Sequence, residues 1–196
     1  SRTKRYYSFD YANIHFVCLD SWTSDRSPNG PMCAWLREDL AETSKDWIIA
    51  YWHHPPYSFG HHHSDYETEL IQMRQNVVPV LEAGGADLVL CGHSHSYERS
   101  FLINGHYGDS LSFQESMKMD SGSGRRDKSG PYFKPPTGLK ANQGTVYVVA
   151  GCSGLLSPSA LGHPAMYFSE LELGSLVLFI NGATLEAQFV RAQLID

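Results

Sequence analysis

No apolar run in the 196 residues reaches the ~18–20 residues that a membrane-spanning helix needs, so no membrane span is expected. No Cys-x-x-Cys pair occurs among the four cysteines, which argues against a zinc finger. Charge is scarce: Asp, Glu, Lys and Arg make up 18% of the chain, and the formal net charge is -6. That leaves too little basic surface for a general nucleic-acid binder, and no nucleic-acid partner is expected. Phosphate substrates stay open, because metal ions can make a site locally positive in an acidic protein. The chain also lacks an initiator Met and a signal peptide. It begins abruptly with Ser1-Arg-Thr-Lys, the pattern expected of a processed, nicked or truncated chain.

What is present describes a folded protein. Hydrophobic residues are 42% of the total, ample for one sizeable core, and 17 glycines with 10 prolines mark it as loop-rich. Cys18, Cys91 and Cys152 lie in or at the end of apolar strand-like runs. They and Cys33 read as core thiols, with a single disulfide as the alternative.

Along the chain, Tyr6–Asp20 reads as two strands around an Asp-Tyr-Ala-Asn turn. Residues 31–44 carry apolar positions at helical spacing and open on Pro31, a favoured first helical residue. Residues 46–52 form a short continuous apolar strand, followed by a loop to Asp65. Residues 66–83 have helical periodicity and stop at Gly84-Gly85. Leu88–Cys91 is a second buried strand. The Ser-, Gly-, Lys- and Pro-rich stretch 108–144 reads as a long surface excursion. Thr145–Ala150 is a third buried strand, and residues 167–192 alternate like an antiparallel meander with a hairpin turn at Asn181-Gly182. Strand–helix alternation followed by a strand-rich end predicts an α/β assembly with helices outside.

Histidines cluster where two of the buried strands end. WHHPPYS (52–58) closes one and GHSHSYER (92–99) closes the next. Imidazole is a good ligand for first-row metals, and ligand sites in open α/β sheets gather at the carboxyl ends of strands. Gly92 allows a close backbone approach. His93 and His95 are two apart, so in extended backbone both would face one side.

Together, IIAYWHHPPYS (48–58), GADLVLCGHSHSYERS (85–100) and GTVYVVAGCSG (144–154) resemble the calcineurin-like metallophosphoesterases, specifically the purple acid phosphatase-like branch. YYSFDYANIHFVCLDS (6–21) resembles the segment that follows the family's Gly-Asn-His-Glu motif. The resemblance implies a four-layer α/β/β/α sandwich. It implies two metal ions, divalent or trivalent and drawn from Fe, Zn or Mn, and a small phosphate-ester substrate. His53 and His93 would bind one metal and His95 the other. His62, in FGHHHSD (59–65), falls on the family's substrate-contacting histidine and would serve as proton donor to the leaving group. His61, His63, His54 and Arg99 complete the substrate-facing set, with Arg99 binding phosphate or pairing with Glu98. Gly-Asn-His-Glu and Gly-Asp-x-x-Asp do not occur here. Residues 1–196 therefore read as the C-terminal portion of one catalytic domain, with the N-terminal half of that domain as its partner. A purple Fe(III) centre would need a tyrosinate from that half. The branch is often secreted or periplasmic, and that localisation is the expectation. The competing readings are a nucleotidase or cyclic-nucleotide phosphodiesterase, and a non-catalytic scaffold that kept the fold.

Other polar residues read as structural. His15 is expected to be a core or cross-strand residue, His106 a hairpin position, and His163 a loop residue at the pocket rim or in the framework. Arg74 is expected on a solvated helix face.

Overall fold

The protein is described from a computed structural model that places residues 1, 3–135 and 142–192. Two strands, β1 (Tyr7–Tyr11) and β2 (Ile14–Cys18), pair antiparallel around a tight turn in which Ala12 takes φ +51°. Helix α1 (Pro31–Glu42) follows and carries the chain back to β3 (Trp47–Tyr51). A second crossover, α2 (Thr68–Gln72) and α3 (Val78–Ala83) joined by a π-helical turn at Met73–Val77, leads to β4 (Leu88–Cys91). Crossovers of this kind deliver parallel neighbours. β2, β3 and β4 are accordingly parallel, and β8 (Val146–Ala150) joins parallel to β4.

β5 (Tyr97–Ser100) and β9 (Met166–Glu170) add antiparallel strands, giving one seven-stranded sheet in the order β1-β2-β3-β4-β8-β5-β9. A short ribbon of β6 (Leu102–Ile103) and β7 (Lys118–Asp120) stands apart, as does a hairpin of β10 (Gly174–Asn181) and β11 (Thr184–Arg191).

The parallel strands are apolar on both faces because both faces are covered. Val17, Ala50, Val89 and Val149 pack with Leu36, Leu40, Val77 and Leu81 of the helices. Ile14, Ile49, Leu88 and Val148 pack with Leu176, Leu178, Ile180 and Phe189 of the hairpin. The layers thus run helix, sheet, sheet, in the order the α/β/β/α sandwich requires. The four cysteines are free thiols, three of them buried, as the core-thiol reading expects.

Four expectations are corrected. The strand-rich end is not one meander: β9 pairs with β5, and the chain changes layer before Gly174. Gly174 is needed there because an added Cβ would lie 2.5 Å from the Val190 carbonyl. The excursion after residue 108 is not all surface, since Ser110 and Ser123 are buried; residues 136–141 lie outside the described part. Arg74 is not solvated. It is 2% exposed, and its Nη1 donates to the carbonyls of Pro56 (3.1 Å) and Ser64 (2.6 Å). Arg74 stands four residues after Leu70, on the buried face of the helix with Met73 and Val77, so its charge and not its position suggested solvent. His106 is not a hairpin position but is fully buried, its ring stacked 5.2 Å from that of Tyr57. His163 is buried beside them, and its Nδ1 accepts from the Ala165 amide.

Candidate metal centre

The parallel sheet aligns the ends of β3 and β4, since Tyr51 pairs with Leu90. The ladder continues past the strands: Trp52 N–H donates to Leu90 O (3.2 Å) and Gly92 N–H to His53 O (3.1 Å). His53 and His93, each two residues beyond its strand, are thereby brought together. His93 Nδ1 lies 3.1 Å from His53 Nε2. The ligand-capable atoms of His53, His54 and His93 all lie within 4.8 Å of one another, and so do those of His62, Glu67 and His93. His93 is common to both groups.

The turn that presents His93 is tight. Ser94 N–H donates to Gly92 O (2.8 Å), and His93 between them takes φ +64°. A three-residue turn with positive φ at its centre is rare and strained, and such strain gathers at functional sites. The turn packs on the backbone at Gly151, where a Cβ would lie 2.2 Å from the Ser94 carbonyl. Gly151→Ala must therefore displace the turn. The expected cost is ~1–3 kcal/mol, the range for overpacking, read as a lowered midpoint in denaturant unfolding.

The same turn bears on His95. The backbone is not extended at His93, so two-residue alternation does not set where the two rings point. His95 Nδ1 bonds to Ser157 Oγ (2.9 Å), and His95 belongs to neither group of converging ligands. Its ring still lies close enough to His53 to disfavour protonation there.

Glu67 was not singled out in the sequence, yet it ties the loop to the cluster. Its carboxylate accepts from His62 Nδ1 (2.9 Å), from the His63 amide (3.1 Å) and from His93 Nε2 (3.2 Å). Burial alone would raise its pKa, but the bonds from His93 and His62 outweigh burial and hold it below the ordinary value. The available signal was a carboxylate five residues after His62 at a helix start; nothing local distinguished it from an ordinary first-turn acid. His62 stacks on His93, ring centroids 3.5 Å apart.

The other sequence-derived candidates divide. His54 joins the cluster but is 2% exposed, with Nδ1 bonded to Ser21 Oγ (2.8 Å) and its ring stacked on Trp22. It meets the cluster from the buried side. His61 is exposed and packs edge-on against His62. His63 turns away to stack between Phe59 and Tyr66. Arg99 does not reach the cluster and does not pair with Glu98. Its guanidinium donates to Ser123 O (3.0 Å) and sits over the Tyr167 ring, while Glu98 is bonded to Ser58 and Ser96. Neighbouring residues of β5 point to opposite sides of the sheet. His15, as expected, is a framework residue, held between Asp10 (2.8 Å) and Asp39 (3.0 Å).

The donor set fits a cation. Imidazole binds metal as the neutral ring. Burial, followed by neighbouring histidines, lowers the pKa of His53 and takes that of His54 to about 4. Burial likewise lowers His93, only partly opposed by Glu67. The 3.1 Å between His93 Nδ1 and His53 Nε2 is close to the ~3.3 Å separating two nitrogens bound at ~2.0–2.1 Å to one tetrahedral ion.

A family model described as Calcineurin-like phosphoesterase matches residues 4–97. Purple acid phosphatase 18 of Arabidopsis thaliana is 33% identical over 112 residues, 56% of this chain and 25% of that protein. These matches support a purple acid phosphatase-like metallophosphoesterase. Purple acid phosphatase 22 of the same plant is 30% identical over 142 residues, 71% of this chain and 32% of that protein. The chain thus spans about a quarter to a third of the length of these relatives. Among solved structures, the purple acid phosphatase PPD1 from yellow lupin seeds superposes with a TM-score of 0.68 at 17% identity, over 95% of this chain and 30% of that one. GAP50 of Plasmodium, described as the anchor in the inner membrane complex, superposes at 0.55 and 18% identity, over 95% of this chain and 49% of that one. At these identities the superpositions show the fold: a mixed α/β architecture with a large central sheet.

Proposed function

We propose that the full-length protein hydrolyses phosphate esters in a metal-dependent reaction centred on the ends of β3 and β4. The observation that carries this reading is the convergence of His53, His93 and His54, with His62 and Glu67 closing on the same His93. His53 Nε2 and His93 Nδ1 are the nitrogens that would hold a cation. His95 would serve a second one once the N-terminal half of the catalytic domain is in place. Bound there, Fe, Zn or Mn ions would lower the pKa of water and draw charge from the phosphoryl oxygens.

The chain's own residues supply orientation and a proton. Glu67 accepts the Nδ1 proton of His62, which fixes the ring's orientation and leaves Nε2 to face the substrate. As the imidazolium, His62 gives its Nε2 proton to the departing oxygen and is left neutral with its proton on Nδ1, and His61 lines the approach. Residues 1–196 form the C-terminal portion of that catalytic domain, and the protein is secreted or periplasmic. No helix among the described residues is long and apolar enough to cross a membrane.

The test is hydrolysis of p-nitrophenyl phosphate and bis(p-nitrophenyl) phosphate by the full-length protein after metal removal, with Zn, Mn or Fe restored in turn. Metal-dependent turnover of the monoester is expected. Preference for the diester would move the assignment to a phosphodiesterase. No turnover with any metal would overturn the hydrolase reading in favour of a scaffold.

A further inference from the structure

Beneath the histidines lies a buried hydroxyl chain that ends on a carboxylate. Glu98 is fully buried. Its Oε1 accepts from Ser58 Oγ (2.6 Å) and Ser96 Oγ (3.0 Å), and its Oε2 from the Phe59 amide (3.3 Å). Ser58 Oγ lies 2.8 Å from Ser94 Oγ and accepts from the Gly60 amide (3.0 Å). Ser94 Oγ accepts from the His62 amide (3.3 Å) and lies 3.1 Å from the His62 carbonyl. Ser94 is itself fully buried, in the variable position between His93 and His95.

The direction of this chain follows from proton counting. A carboxylate only accepts, and each hydroxyl has one proton to give. Ser58 gives its proton to Glu98. Its oxygen can then accept from Ser94, whose one proton is shared between Ser58 Oγ and the His62 carbonyl, while the Ser94 oxygen accepts the His62 amide. Chains of this kind are cooperative, and a charged acceptor strengthens the first bond. The fit is close: a Cβ on Gly60 would lie 2.7 Å from Ser94 Oγ and 2.8 Å from Ser96 Oγ.

We propose that Ser58, Ser94 and Glu98 form a latch that holds the His61–His63 loop on the Gly92–His95 turn, with Glu98 as the positioning residue that keeps His62 stacked on His93. The latch acts on the site proposed above and rests on that reading for its effect on turnover, but not for its effect on the loop. None of the three latch side chains bonds to a candidate ligand ring, so the latch works through the His62 backbone.

The experiment uses full-length protein carrying Ser94→Ala, with Glu98→Gln as a second variant that keeps the volume and one acceptor oxygen. In metal-free protein, amide hydrogen exchange of residues 58–63 is expected to speed up by about tenfold in both variants, the loss of one well-made hydrogen bond. Amides of the β10–β11 hairpin are expected to be unchanged. In metal-loaded protein, kcat for p-nitrophenyl phosphate is expected to fall by about tenfold, with KM and bound metal unchanged. In a His62→Ala background, Ser94→Ala is expected to change kcat by less than about twofold, because residues acting as one unit are not additive. Unchanged exchange in residues 58–63, or the same fractional loss with and without His62, would overturn the latch. Faster exchange in both variants, together with a wild type that turns over no ester, would sustain the latch and sink the hydrolase reading instead.

Discussion

Alanine at position 93 is expected to lower kcat/KM by more than about 100-fold and to reduce bound metal in the full-length protein. His93 is the ring common to both groups of converging ligands, and it touches His53, His62 and Glu67 directly. Removing a partner that merely orients a ligand costs ~10–100-fold in metal affinity or activity, so loss of the ligand itself must exceed that. Glu67→Gln supplies the comparison. It keeps the shape and one acceptor oxygen, and should fall within the ~10–100-fold range. Strain provides a control. His93 sits at φ +64°, which an alanine tolerates no better and a glycine tolerates freely. His93→Gly is therefore expected to be more stable than His93→Ala and equally inactive. Steady-state kinetics with metal analysis and denaturant unfolding of the two variants check this together.

The second large effect is on stability and involves residues away from the cluster. His106 and His163 are 0% and 1% exposed. Both ring nitrogens of His106 and Nε2 of His163 are buried without a partner among the described residues. Burial, aided by the nearby Arg74 guanidinium, takes His106 down to about 4. Burial and then His106 itself take His163 down to about 3. Asp65 opposes both shifts without reversing them. These folded-state values lie below the ordinary histidine value near 6.5, so in acid the unfolded chain binds protons that the native one refuses.

The contribution of each ring is therefore present above about pH 6.5 and is lost as the pH falls toward 3–4. By pH 5 each histidine is expected to cost ~2 kcal/mol relative to neutral pH. Glu82, Asp87 and Glu98 titrate with the opposite sign, because burial raises each of them. The clean measurement is thus a difference. Between pH 6 and 4.5, His106→Phe is expected to flatten the pH dependence of unfolding free energy by up to about 1.4 kcal/mol per pH unit, one proton's worth. Parallel curves for wild type and variant would place the proton elsewhere.

Much of this molecule is legible before folding. Leu88–Cys91 is found where its continuous apolar run places it, and Asn181-Gly182 turns the β10–β11 hairpin as its dipeptide predicts. The two histidine clusters meet because a strand-helix-strand crossover in a parallel sheet brings successive carboxyl ends to one edge. The misreadings each have a physical cause. Two-residue alternation presumed extended backbone at His93, where the chain makes a strained turn, and His95 Nδ1 bonds to Ser157. Arg74 was assigned to solvent for its charge, although its spacing from Leu70 and Val77 puts it on the buried face of the helix. Burial of His106 depends on contact with Tyr57, far away in sequence, and no local pattern encodes that. Glu67 looked like any acid at a helix start until the fold brought His93 within 3.2 Å of it.

The claim that the rest depends on is that His53 and His93 share a cation. Anomalous diffraction from crystals of the metal-loaded full-length protein, collected at the Zn, Fe and Mn edges, tests it without recourse to turnover. A peak within coordination distance of His53 Nε2 and His93 Nδ1 is the predicted result. Metal bound elsewhere, with those two rings bonded only to each other, would contradict it.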